Sequence, residues 1–106
     1  MNASPTIAWA KGPVTLGGTA TITLTITNPT SGPPGVGNDG EIMWFFVITA
    51  HAHKITMGTT QTINASSTTA TFVGVVGESL ALMAFGGKVY IVAGNAITTN
   101  GGITLS

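Results

Sequence analysis

The 106-residue chain carries three basic and three acidic side chains, two histidines, fifteen glycines and no cysteine, and its formal net charge is zero. Charged residues make up 6% of the sequence, against about 25% in an ordinary soluble domain, so no basic face exists to neutralise nucleic-acid phosphates or to hold an anionic membrane surface. Disulfides and cysteine-ligated zinc are excluded, while 43% hydrophobic residues argue for a folded core over a disordered chain.

Residues 1–17 read as an N-terminal arm or edge segment, with Pro5, Ile7, Trp9 and Pro13. They lack the charged and apolar regions of a secretory signal. Residues 18–106 read as one β domain with a period of two almost throughout. Gly18 to Thr27 alternates, with Ala20, Ile22, Leu24 and Ile26 on one face and Thr19, Thr21, Thr23, Thr25 and Thr27 on the other. That pattern predicts a half-buried strand, ended by Asn28-Pro29. One Thr row falls short of the several rows in register that an ice-binding surface needs; threonine serves here as a β former. Residues 30–40 are rich in Gly and Pro and predict an exposed loop closing on the Asp39-Gly40 turn.

From Glu41 to Thr49 both faces are apolar: Ile42, Trp44, Phe46 and Ile48 on one, Met43, Phe45 and Val47 on the other. This strand must be covered on both sides. Its apolar run is far shorter than the ~20 residues of a transmembrane helix. Shorter strands are expected around His53–Met57, Thr60–Ile63 and Ala70–Val75. The clearest local prediction is a hairpin over 79–93, turning at Gly86-Gly87, since both glycines tolerate positive φ. Its register pairs Ala84 with Val89 and Leu82 with Ile91 on one face. On the other it pairs Phe85 with Lys88, Met83 with Tyr90 and Ala81 with Val92. Both faces are again apolar. One core buries one face of each strand, so the second faces predict a subunit contact made by Met43, Phe45, Val47, Met83, Phe85, Tyr90 and Val92. A net charge near zero favours such association.

Little here can carry chemistry. His51 and His53 at i and i+2 are the nearest approach to a metal pair, but no carboxylate or cysteine accompanies them. An interface containing them would be acid-sensitive. Asp39, Glu41 and Glu78 are the whole acidic inventory; Asp39 and Glu41 supply too few oxygens for a calcium loop, and Asp39-Gly40 and Glu78 fit turn roles. Ser79 lacks the context of a nucleophile elbow, and GPPGVG matches no phosphate-binding loop. No enzyme activity, cofactor or metal is expected.

Taken in order, Ile26-Thr27-Asn28-Pro29, Thr49-Ala50-His51-Ala52-His53-Lys54-Ile55-Thr56, Ala70-Thr71-Phe72, Gly77-Glu78-Ser79-Leu80 with Leu82 and Ala84, and Gly87 with Tyr90-Ile91-Val92 form a connected pattern. Over residues 19–98 it resembles small β-rich virion proteins of tailed bacteriophages, of the capsid-decoration (cement) and head-fibre type. The resemblance implies a structural homotrimer on the outer capsid surface, made in the host bacterial cytoplasm and partnered by itself and the major capsid protein. Trp9, Ile7 and Pro5 would then attach it to the capsid. A head- or tail-fibre knob binding a host-surface receptor or glycan is the alternative. The fold expected is all-β, a small antiparallel β-sandwich of jelly-roll-like type in a symmetric oligomer.

Overall fold

Alternation at a period of two becomes nine strands in the computed structural model, which describes residues 5–60, 62–98 and 101–106. They are β1 (Thr6–Ile7), β2 (Gly12–Leu16), β3 (Thr23–Ile26), β4 (Ile42–Val47), β5 (Lys54–Met57), β6 (Thr69–Thr71), β7 (Ser79–Phe85), β8 (Lys88–Ala93) and β9 (Thr104–Leu105). The described residues form no α-helix; Asn95–Ile97 makes one 3-10 turn. A Cα radius of gyration of 12.7 Å is close to the ~13 Å of a compact domain this long.

The strands form two sheets, ordered β1-β3-β5-β6-β9 and β2-β4-β7-β8. As far as β5, every connection carries the chain to the other sheet. Two such crossings bring it back running the same way, so β1 and β3, β2 and β4, and β3 and β5 pair in parallel. The remaining pairs, β4–β7, β5–β6, β6–β9 and β7–β8, are antiparallel. The expected antiparallel arrangement is therefore corrected to two mixed sheets. Strand periodicity is the same in both kinds of ladder, so alternation carries no trace of strand direction.

One cluster of buried side chains draws on both sheets. Leu24, Ile26, Ile55, Met57 and Ala70 enter it from the first sheet, and Leu16, Met43, Phe45, Val47, Leu80, Leu82, Ala84 and Val89 from the second. The strand expected over 18–27 is shortened to β3; Gly18, at φ 148°, lies on the crossing from β2. The strand expected over Thr60–Ile63 falls partly on Gln61, which lies outside the described residues; Ile63 bridges singly to Ser67 and Val89. In the β7–β8 hairpin, Gly86 and Gly87 have φ of 62° and 77°, and Met83–Tyr90, Leu82–Ile91, Ala84–Val89 and Phe85–Lys88 are in register. Beyond Leu82 a bulge shifts the pairing, and Ala81 lies opposite Ala93 instead of Val92.

One site expectation is corrected by this packing. Met43, Phe45 and Val47 are 1%, 0% and 1% exposed, which places them in the core and not at a subunit contact. Their register decides it: Met43 lies opposite Leu82 and Phe45 opposite Leu80, the inward residues of β7. The N-terminal segment is built into the fold. Residues 5–17 supply one edge strand of each sheet, the half-buried Ile7 packs against the core, and the Pro5 carbonyl accepts the Thr25 N–H at 2.9 Å. Trp9 is buried on the crossing from β1 to β2, its indole N–H donating to Glu41 Oε1 at 3.2 Å.

Candidate functional site

The two sheets turn unlike faces outward. On the first, β1, β3, β5 and β6 set Thr6, Thr25, Thr56 and Thr69 side by side. The next row across β3, β5, β6 and β9 is Thr23, Lys54, Thr71 and Thr104. Thr56 and Thr69 share a hydroxyl hydrogen bond of 3.2 Å. Sequence reading found one Thr strand; the fold gathers threonines from five strands into a hydrated face that needs almost no charge. Lys54 interrupts its second row.

The second sheet is apolar on its outer face. Ile42, Trp44 and Phe46 project from β4, and Met83 and Phe85 from β7; on β8, Tyr90 is half-buried and Val92 is exposed. One row across the strands reads Ile42, Met83, Tyr90. The next reads Pro13, Trp44, Ala81, Ala93. The Trp44 and Phe46 rings stack at 5.9 Å between centroids and 13° between planes. Ala81, small and set opposite Trp44, is wholly buried yet stands outside the core cluster. Phe85 remains 59% exposed and Ile48, just past β4, 51%. Neither row contains a charge; Lys88 lies opposite Phe85 at the hairpin end.

Met83, Phe85, Tyr90 and Val92 thus lie on the side where sequence reading put them, while the β4 contribution is exchanged. Ile42, Trp44, Phe46 and Ile48 are the outward set. Two apolar faces on one strand announced that a surface existed, but the choice between them depended on β7.

Each carboxylate is engaged within the chain. Asp39 Oδ1 accepts the Gly86 N–H at 2.9 Å, tying loop 30–40 to the β7–β8 turn. Glu41 Oε1 accepts from Trp9 and from the Asn38 amide. Glu78, 1% exposed, accepts the backbone N–H groups of Val73, Gly74 and Val75. Loop 30–40 closes on itself: Thr30 O accepts from Asn38 N, Gly32 O from Asp39 N, and Asn38 Oδ1 from Thr30 N. Gly37 fits there because a Cβ would stand 2.6 Å from the Ser31 carbonyl oxygen.

The two histidines sit on the arch from β4 to β5, their rings 5.7 Å apart edge to face. His53 is fully buried and both of its nitrogens are in use. Nδ1 accepts the Ile22 N–H at 3.0 Å; Nε2 lies 3.2 Å from both the carbonyl and the hydroxyl oxygen of Thr49. No lone pair is left for a metal, and the described residues hold no cluster of three or more His, Cys, Asp or Glu that could bind one.

The described residues form no cleft, so recognition would fall to a surface, and the apolar face of the second sheet is the candidate. Comparison with family models, with curated proteins and with solved structures gives no match to this chain.

Proposed function

We propose that the chain is a structural protein of a phage virion. In this reading it is a β-sandwich assembled as a homotrimer that decorates and cements the outer capsid. The observation that carries the reading is the outer face of β2-β4-β7-β8, apolar from Ile42 to Phe85 and centred on the stacked Trp44 and Phe46. Exposed apolar area of this kind marks an interaction surface, and aromatic residues dominate binding energy where they are desolvated. The threonine face opposite keeps the other side wet without charge.

Size favours repetition over a single tight contact. Four strands about 4.8 Å apart and five residues long give a footprint of about 300 Å². A stable pair of proteins buries about 800 Å² per partner. The face is therefore small for a lone partner and suited to a closed ring or a lattice, where repeated weak contacts add up. The order of motifs over residues 19–98 supports the capsid as that lattice.

Phe85→Asp and Tyr90→Asp are expected to lower the assembled mass by light scattering from trimer to monomer while leaving the β-sheet circular dichroism intact. A trimer unchanged in both variants would remove the face from subunit contact. For the capsid role, the purified chain is incubated with bare capsids and sedimented. Binding in fixed ratio to coat protein is the expected result. A few copies per particle would mean a fibre, and none would sink the virion reading.

A further inference from the structure

We propose that the His53 ring is an acid-labile latch that holds the β4–β5 arch, residues 49–53, onto the start of β3. The geometry gives the ring a backbone role. Ile22 O accepts the Lys54 N–H at 2.9 Å, the first rung joining β3 to β5. The Ile22 N–H, which a parallel ladder would pass to a carbonyl, goes to His53 Nδ1 at 3.0 Å. The imidazole thus extends the ladder by one rung. The same residue's main chain is held on its other side, its carbonyl accepting the Phe72 N–H at 2.9 Å.

This arrangement requires a neutral ring of one tautomer. Nδ1 must be bare to accept from Ile22, so the proton sits on Nε2 and is donated to Thr49. A second proton would enter at Nδ1 and face the Ile22 N–H, donor against donor. The ring could then charge only by leaving Ile22, and the arch would have to move with it. Gly74 makes the arch a closely fitted piece: a Cβ there would come within 3.0 Å of the His51 carbonyl carbon.

Burial, the largest influence, lowers the His53 pKa below 6.5. Its Thr49 hydrogen bond and the Glu78 carboxylate oppose the shift; the neighbouring His51 and the chain's amino terminus add to it. Lys54, next in sequence, is exposed on the outer face of β5. With the folded pKa depressed, the unfolded chain takes the proton first as pH falls. The latch is therefore complete above pH 6.5 and is lost as pH drops through the folded value.

The test is nuclear magnetic resonance of the full chain, following the His53 ring nitrogens and the Ile22 amide from pH 7.5 downward. At pH 7.5 Nδ1 should resonate as an unprotonated acceptor and Nε2 as protonated. Between pH 6.5 and the ring's own titration, the exchange protection of the Ile22 amide should fall by up to about tenfold per pH unit, the slope of a single proton, and below that titration it should be lost. A ring titrating at or above 6.5, the opposite tautomer, or flat Ile22 protection through the ring's titration would each overturn the latch. If the chain unfolds before the ring titrates, His53→Asn decides. Asn offers an uncharged acceptor near the Nδ1 position, so it should unfold at lower pH than the wild type, whereas His51→Asn should not. Equal acid midpoints for wild type and His53→Asn would overturn the proposal.

Discussion

Phe45→Ala is expected to cost about 3–5 kcal/mol, the range for deleting an aromatic ring from a closed core. Phe46→Ala, one residue along the same strand, is expected to cost about 1 kcal/mol or less, the scale of an aromatic pair on a surface. Phe45 is completely buried, lying between Val14 on β2 and Leu80 on β7. Phe46 lies between Thr15 and Ser79, partly open to solvent and stacked on Trp44. A domain of this size has about 5–15 kcal/mol of stability in total, so the first change brings the chain near its unfolding threshold and the second does not. Urea midpoints for the two variants give the comparison directly. If Phe46→Ala proved the costlier, β4 would present the opposite face to the core. Met43, Phe45 and Val47 would then return as the contact surface.

The same strand shows how much of the molecule can be read from its sequence. Hairpin 79–93 is legible almost rung by rung, because Gly86-Gly87 fixes the turn and the turn fixes the register. Only Val92 escapes, displaced by a bulge that alternation cannot announce. On β4 the pattern shows two apolar faces but not which one points inward. Period two divides residues into sets; the inward set is chosen by a partner nearly forty residues away, when Leu80 and Leu82 come opposite Phe45 and Met43. The threonine face is hidden for a related reason. Thr6, Thr25 and Thr56 become neighbours only through the parallel pairings that follow from repeated crossing between sheets, and Thr69 joins them across the antiparallel β5–β6 pair. The burial of Trp9 is hidden from sequence because its partner, Glu41, is thirty-two positions away. In the His51 and His53 pair, sequence shows two imidazoles and nothing of the Ile22 amide that occupies one of them.

Glu78→Ala should be the most damaging change to a charged residue, costing about 3 kcal/mol. A hydrogen bond to a charged group contributes about 1.5–3 kcal/mol, and this carboxylate accepts three: Gly74 N and Val75 N on Oε1, both at 2.7 Å, and Val73 N on Oε2 at 3.3 Å. The sum is reduced because the exposed ends of loop 73–77 can turn their amides to water once released. What cannot be recovered is the loop's shape. The Val75 carbonyl accepts the Glu78 N–H, so the carboxylate and its own main chain close the loop from both sides, and Gly74 lies so near the arch that carries His51 and His53 that a Cβ there would meet the His51 carbonyl. Glu78→Gln separates charge from shape. One oxygen remains for the two short bonds, while the new amide group meets the Val73 N–H donor to donor, and the loss should be about half that of alanine. Thermal melts of the two variants measure both quantities, with about 4–8 °C expected per kcal/mol in a domain of this size. A Glu78→Ala variant melting within 2–3 °C of the wild type would mean that the loop holds without its carboxylate, leaving a buried acid with no structural role and reopening this end of the molecule as a place for chemistry.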